Sequence, residues 1–204
     1  MQDIDNIIFD LGGVILNLDN QKTEQAFTDL GARDFRSFFR IGYASSFFRE
    51  YETGQISSQA FIDQLRQMLQ TPASEAQIIH AWNMMLQDFP AQRIILLREL
   101  RKKYRLFLFS NTNALHYIAF QDIFRKSFGP GQLDDHFDKA YYSHLMGLRK
   151  PDRPAYEHII RENGLVPERT LFVDDAQVNV EGAEAAGLKG LHLRPGLSIT
   201  DIVW

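Results

Sequence analysis

Apolar and polar positions follow two regimes along the chain. Residues 4–16 carry a nearly continuous apolar run, Ile4, Ile7, Ile8 and Phe9, which ends on Asp10 and is followed closely by Gly12 and Gly13. A run of this kind bounded by turn residues reads as a strand buried on both faces, with Asp10 at its carboxyl end. From Asn17 to about Phe89 the apolar residues recur only at helical spacing. Thr23 to Leu30, a helix from Ser57 carrying Phe61, Leu65, Met68 and Leu69, and a third from Ser74-Glu75 carrying Ile78, Ile79, Trp82, Met85 and Leu86 are the expected elements. Beyond Pro90 helices and strands alternate. The spacing predicts helices over Ile94–Tyr104, Ala114–Phe124, Ala155–Asn163 and Glu181–Ala186. It predicts strands over Arg105–Ser110, Lys139–Ser143, Thr170–Asp175 and Gly190–Leu193.

Strand–helix alternation implies right-handed crossovers and a doubly wound parallel sheet, an α/β fold. The expected organisation is an α/β core formed by residues 1–16 and 90–204, interrupted by a helical insertion over 17–89. The aromatic block Phe35, Phe38, Phe39, Tyr43, Phe47, Phe48 and Tyr51, interleaved with Arg36, Arg40 and Arg49, is read as packing within that insertion.

Composition narrows the function. The 204 residues carry a net charge of −4 and show no basic stripe that could track a nucleic-acid backbone. The absence of cysteine excludes disulfides, thiol nucleophiles and zinc–thiolate sites. No apolar stretch approaches the length of a membrane span. A cytoplasmic protein, monomeric or weakly dimeric, acting on a small molecule is the expectation.

Four polar positions fall at the carboxyl ends of predicted strands or just beyond them: Asp10, Ser110, Lys150 and the pair Asp174-Asp175. In a parallel sheet those ends share one edge, where open α/β folds bind their ligands. Taken singly, each is an ordinary turn or strand-end residue. Together they are chemically complementary, because two or three carboxylates suit a hard cation such as Mg2+. Ser110 and Lys150 can donate to a phosphoryl group, and a carboxylate held beside a cation and an ammonium can attack phosphorus.

The blocks Phe9-Asp10-Leu-Gly-Gly-Val14, Phe109-Ser110-Asn111-Thr112-Asn113, Gly147-Leu-Arg-Lys150-Pro151 and Phe172-Val-Asp-Asp175, with Asn179 and Gly182-Ala183 behind them, occur in an order and spacing that resembles the haloacid dehalogenase superfamily. The insertion resembles that superfamily's C1 cap, and the wording of the middle blocks is similar to its sugar-phosphate phosphatases. The resemblance implies an Asp10 nucleophile that also ligates Mg2+ together with the Gly12 carbonyl and Asp175. It implies phosphate binding by Ser110 and the backbone of Asn111, and charge neutralisation by Lys150. Asp174 becomes a further metal acid or a residue behind the metal, and Asn179 a residue that orients the metal's water. The implied activity is phosphate-ester hydrolysis through an aspartyl-phosphate. A 2-haloacid dehalogenase and a non-catalytic phospho-ligand binder are the alternatives.

One position departs from the pattern. Where such phosphatases carry a second Asp as general acid/base, this chain has Gly12, and a group of that kind contributes roughly 10²–10⁴-fold. Asp19 and His80 are the substitutes considered. Tyr43, Arg49 and Tyr51 are the expected cap contributors to the pocket, with hinges near Asn17-Leu18 and Phe89-Pro90.

Overall fold

A computed structural model describes residues 3–32, 35 and 46–204. Arg36, Phe38, Phe39, Arg40 and Tyr43 of the aromatic block lie outside the described residues. The first strand, β1, spans Asn6–Phe9 and is followed by α1 (Asn20–Asp29), α2 (Ser46–Glu52), α3 (Ser58–Leu69) and α4 (Glu75–Asn83). Then come α5 (Ala91–Leu100), β2 (Arg105–Ser110), α6 (Ala114–Phe128), β3 (Lys139–Tyr142), α7 (Ser143–Met146) and α8 (Arg153–Asn163), and finally β4 (Thr170–Asp174), α9 (Gln177–Ala185) and β5 (Lys189–His192). Among the described residues no helix is long and apolar enough to cross a membrane.

The five strands form one parallel sheet in the order β3-β2-β1-β4-β5. Its strands alternate between two apolar layers. Ile7, Phe9, Leu106, Leu108, Leu171 and Val173 pack on one face, and Ile8, Phe107, Phe109, Tyr141 and Phe172 on the other. Each fully buried side chain of this size contributes about 1.5–3 kcal/mol, which is why β1 is apolar at consecutive positions.

The strand stops at Phe9, short of the apolar residues that follow Asp10. Ile15 and Leu16 both donate their amides to the Leu11 carbonyl, closing a tight loop that buries Leu11, Val14, Ile15 and Leu16 against the sheet. Helix α9 begins at Gln177 instead of Glu181, and α6 continues to Phe128, so its Phe124 and Phe128 rings pack together.

The helices α1 to α4 bury a cluster of their own, built on Phe27, Phe47, Phe48, Phe61, Leu65, Ile78 and Trp82. The two connections between this cluster and the sheet run side by side. Asn17 accepts from the Gln87 amide and donates its own amide to Asp88 (3.0 Å each), Asp19 donates its amide to Met85, and Leu18 bridges Leu86. The expected hinge at Asn17-Leu18 is therefore hydrogen-bonded to the residues just before the other at Phe89-Pro90, with Asn17 Nδ2 also donating to Asp88 Oδ1 at 3.0 Å.

Candidate active site

The register of the sheet sets the site. Phe9 pairs with Leu108 on one side and Val173 on the other, so the next residue, Asp10, emerges beside Asp174. The Asp10 amide donates to the Val173 carbonyl (2.9 Å), fixing the backbone from which its carboxylate projects. Lys150 reaches between the strands, with Nζ 2.7 Å from Asp10 Oδ1 and 2.7 Å from Asp174 Oδ2. All three side chains are buried.

Each member has its own support. The Lys150 amide donates to Asn111 Oδ1, and Asn111 Nδ2 donates to the Lys150 carbonyl, at 2.9 Å each. These two hydrogen bonds fix the lysine backbone and commit the Asn111 side chain to that task. Asp174 Oδ1 accepts from the Ala176 amide (2.8 Å) and from Asn179 Nδ2 (3.0 Å). Asn179 thus holds Asp174. Gly182 explains its place in the fourth block, because a Cβ there would stand 2.6 Å from the Pro151 carbonyl oxygen, and only glycine lets α9 pack this close to the Lys150 loop.

Three carboxylates, Asp10, Asp174 and Asp175, offer oxygens within 4.8 Å of one another. Burial raises the Asp10 carboxyl above its usual range, with Lys150 opposing and Asp174 adding to the rise. Burial acts to lower Lys150, but the two carboxylates outweigh it and keep the ammonium charged. Asp175 is likewise raised, first by burial and then by Asp174. Three carboxylates against one ammonium make a site short of positive charge, which is the environment a divalent cation relieves. Both Asp174 oxygens already accept hydrogen bonds, so Asp10 and Asp175 are the better-placed carboxylates for an ion. Gly13 has φ +73°, and a Cβ there would stand 2.2 Å from Asp175 Oδ2, so this glycine lets the first loop close onto that carboxylate.

These groups open onto a cleft of about 470 Å³. On the sheet side it is lined by Asp10, Gly12, Asn111, Lys150 and Asp175, and on the side of the helical insertion by Glu52, Trp82 and Met85. Ser110 ends β2 and is buried, and the cleft is lined on that side by Asn111, Thr112 and Asn113 and not by Ser110. Two expectations for the helical insertion are corrected. Arg49 pairs with Asp152, Tyr51 is buried in the cap cluster with its hydroxyl on Ser58 and the Leu115 amide, and neither lines the cleft. Glu52, one residue further on, does. His80 is exposed and faces a separate, larger apolar hollow of about 660 Å³ between α1 and α4, while Asp19 caps α1 by accepting from Gln21. Neither substitutes for the missing acid. A side chain at Gly12 would meet Leu18, whose Cδ1 would stand 2.6 Å from its Cβ.

Besides Glu52, His116 and Arg149 line the cleft without having been singled out in the sequence. His116 Nε2 lies 3.1 Å from the Trp82 carbonyl, and its Nδ1 lies 3.2 Å from Asn113 Nδ2. A carbonyl only accepts, so Nε2 carries the proton and Nδ1 accepts from the amide. Burial depresses His116 to about 4. The imidazole is therefore neutral, and it stacks on Trp82 at 5.1 Å between centroids, joining α6 to α4. Arg149 stands 3.0 Å from Glu52 across the cleft.

Comparison with known proteins decides the family. A model of haloacid dehalogenase-like hydrolases matches residues 4–187. The chain belongs to the haloacid dehalogenase-like hydrolases. A D-ribitol-5-phosphate phosphatase of Bacteroides thetaiotaomicron is 31% identical over 187 residues, covering 91% of this chain and 90% of that protein. A sesquiterpene phosphatase of Aspergillus oryzae is 28% identical over 193 residues, covering 94% and 90%. The solved structure of a haloacid dehalogenase family enzyme from B. thetaiotaomicron, in complex with magnesium and inorganic phosphate, superposes with a TM-score of 0.87 at 30% identity, over 97% of this chain and 98% of that one.

Proposed function

We propose that this hydrolase is a Mg2+-dependent phosphatase that cleaves a small phosphorylated metabolite, a sugar or polyol phosphate, through an aspartyl-phosphate on Asp10. The observation that carries the reading is the Lys150 ammonium seated 2.7 Å from both Asp10 and Asp174 beside Asp175, at the floor of a ligand-sized cleft. The relatives' names support it, since both are phosphatases.

Asp10, Asp175 and the Gly12 carbonyl would hold the ion, with Asp174 behind them as the anchor of Lys150. A bound Mg2+ supplies charge neutralisation to the phosphoryl oxygens and lets a dianion approach carboxylates. The chain's own groups do the rest. Ser110 and the amides of the Asn111 loop bind phosphoryl oxygens, and Lys150 holds Asp10 ionised and aligned. The Asp10 carboxylate forms a bond to phosphorus as the ester P–O bond breaks, and the leaving oxygen takes a proton from water, because Gly12 offers none. Water then attacks phosphorus, the P–O bond to Asp10 breaks, phosphate leaves, and the water's proton passes to solvent. Residues 17–89 act as a cap whose closure through the paired linkers excludes bulk water.

Haloacid displacement at carbon gains nothing from a site built of three clustered carboxylates, so the phosphatase reading is preferred to the dehalogenase one. The test is phosphate release from sugar phosphates, nucleotides and acyl phosphates, with and without chelator, beside Asp10→Asn. Chelator-sensitive release lost in Asp10→Asn is expected. Tight phosphate-ligand binding with no release across the panel would instead identify a non-catalytic binder.

A further inference from the structure

Glu52 closes α2 on the cap side of the cleft, and Arg149 immediately precedes Lys150 on the core side. Arg149 Nη1 lies 3.0 Å from Glu52 Oε2, and the side chains are only 17% and 16% exposed. The phosphoryl-transfer arrangement uses neither. As a structural strut the pair is poor. Among the described residues, Glu52 Oε2 and Arg149 Nε are buried without an aligned hydrogen-bond partner, and an ion pair half-satisfied in this way returns little of its desolvation cost. Cap and core are already joined by Arg49–Asp152 and by His116 on the Trp82 carbonyl.

As a ligand-binding pair its chemistry is specific. A carboxylate only accepts and a guanidinium only donates, whereas each hydroxyl of a polyol does both. Neighbouring hydroxyls can therefore satisfy Glu52 and Arg149 together. Trp82, Met85 and Val178 offer apolar surface in the same cleft to the C–H face of such a chain.

We propose that Glu52 and Arg149 form a hydroxyl clamp, which engages adjacent hydroxyls of a polyol or sugar phosphate seated at Asp10 and so selects hydroxylated esters over apolar ones. The clamp rests on the phosphatase reading and deepens it. It also separates two chemistries found among the relatives, since a terpenyl chain would leave both charges unsatisfied.

The test compares D-ribitol 5-phosphate with pentyl phosphate, two primary alkyl esters of equal chain length that differ in their hydroxyls, for wild type, Glu52→Gln and Arg149→Lys. In the wild type kcat/KM for the ribitol ester is expected to exceed that for the pentyl ester by at least about tenfold. Each variant is expected to narrow that ratio by about tenfold or more, mostly through KM. Equal wild-type values for the two esters would overturn the clamp without reference to any variant. A variant ratio equal to the wild-type ratio, whether both rates fall or neither does, would overturn it as well, and parallel falls would point to a role in the chemistry or the fold. Wild-type protein that released phosphate from neither these esters nor the broader panel would overturn the phosphatase reading, and the clamp with it.

Discussion

The Lys150 ammonium lies 2.7 Å from Asp10 Oδ1, although Asp10 follows the first strand and Lys150 sits in the loop before α8. The same nitrogen is 2.7 Å from Asp174, so a single buried cation separates two buried carboxylates. Lys150→Met leaves both uncompensated. The expected result is a loss of about 3–5 kcal/mol of stability at neutral pH, read by urea unfolding. Asp10 is already raised by burial and is held down by Lys150, so without the lysine it favours protonation further. The deficit should shrink as pH falls and Asp10 takes up its proton. A deficit independent of pH would contradict this account of the triad.

His116 predicts a second pH dependence, of opposite sense. Its folded-state value is depressed to about 4 from the ordinary 6.5, by burial. The unfolded chain therefore binds the proton more readily, and stability is fully present above pH 6.5 and lost as pH falls toward 4. The full loss is on the order of 3 kcal/mol. Its hydrogen-bonding and stacking partners, Asn113 and Trp82, are neutral. Urea unfolding of wild type and His116→Gln between pH 5 and pH 7 should show a smaller pH slope in the variant. Equal slopes would remove His116 as the source.

Gly12 removes the proton donor expected for a phosphatase of this family, so the leaving oxygen departs without assistance from that position. Rates should rise steeply with leaving-group acidity, with p-nitrophenyl and anomeric sugar phosphates well ahead of simple alkyl phosphates. Leu18 Cδ1 would stand 2.6 Å from a Cβ at position 12, so Gly12→Asp needs Leu18→Ala beside it to seat the new carboxyl. The double variant should flatten the leaving-group series by raising alkyl-ester turnover, up to the roughly 10²-fold that a general acid supplies. A wild-type series already flat would show that another group performs this task.

Gly13 controls the second carboxylate. A methyl group at φ +73° and 2.2 Å from Asp175 Oδ2 must displace that side chain, with a backbone cost of about 1–2 kcal/mol. Gly13→Ala should raise the Mg2+ concentration for half-maximal activity by more than its modest stability loss explains. An unchanged Mg2+ requirement would mean that Asp175 is not a ligand.

Much of this arrangement was legible in the chain. Asp10, Lys150 and Asp174-Asp175 could be placed on one edge because the strands beneath them are continuous apolar runs whose ends are unambiguous, and β2 spans the expected Arg105–Ser110. The first strand ends before Asp10 as expected, and Val14, Ile15 and Leu16, as apolar as Ile7 and Ile8, form a loop because their amides bond to the Leu11 carbonyl. The cap was harder. Its aromatic block drew attention to Arg49 and Tyr51, yet helix phase puts Tyr51 into the cap cluster and Glu52 into the cleft. Glu52 meets Arg149 only through tertiary packing. The one local hint was a Glu beside a Thr-Gly turn, too common to single out.

The most direct measurement is rapid acid quench of the enzyme turning over a good phosphate ester with Mg2+ present, followed by mass spectrometry of its peptides. A phosphoryl group is predicted on the peptide that contains Asp10, absent in Asp10→Asn together with phosphate release. Phosphate release at wild-type rate from Asp10→Asn, or a phosphoryl group carried on any other residue, would contradict it.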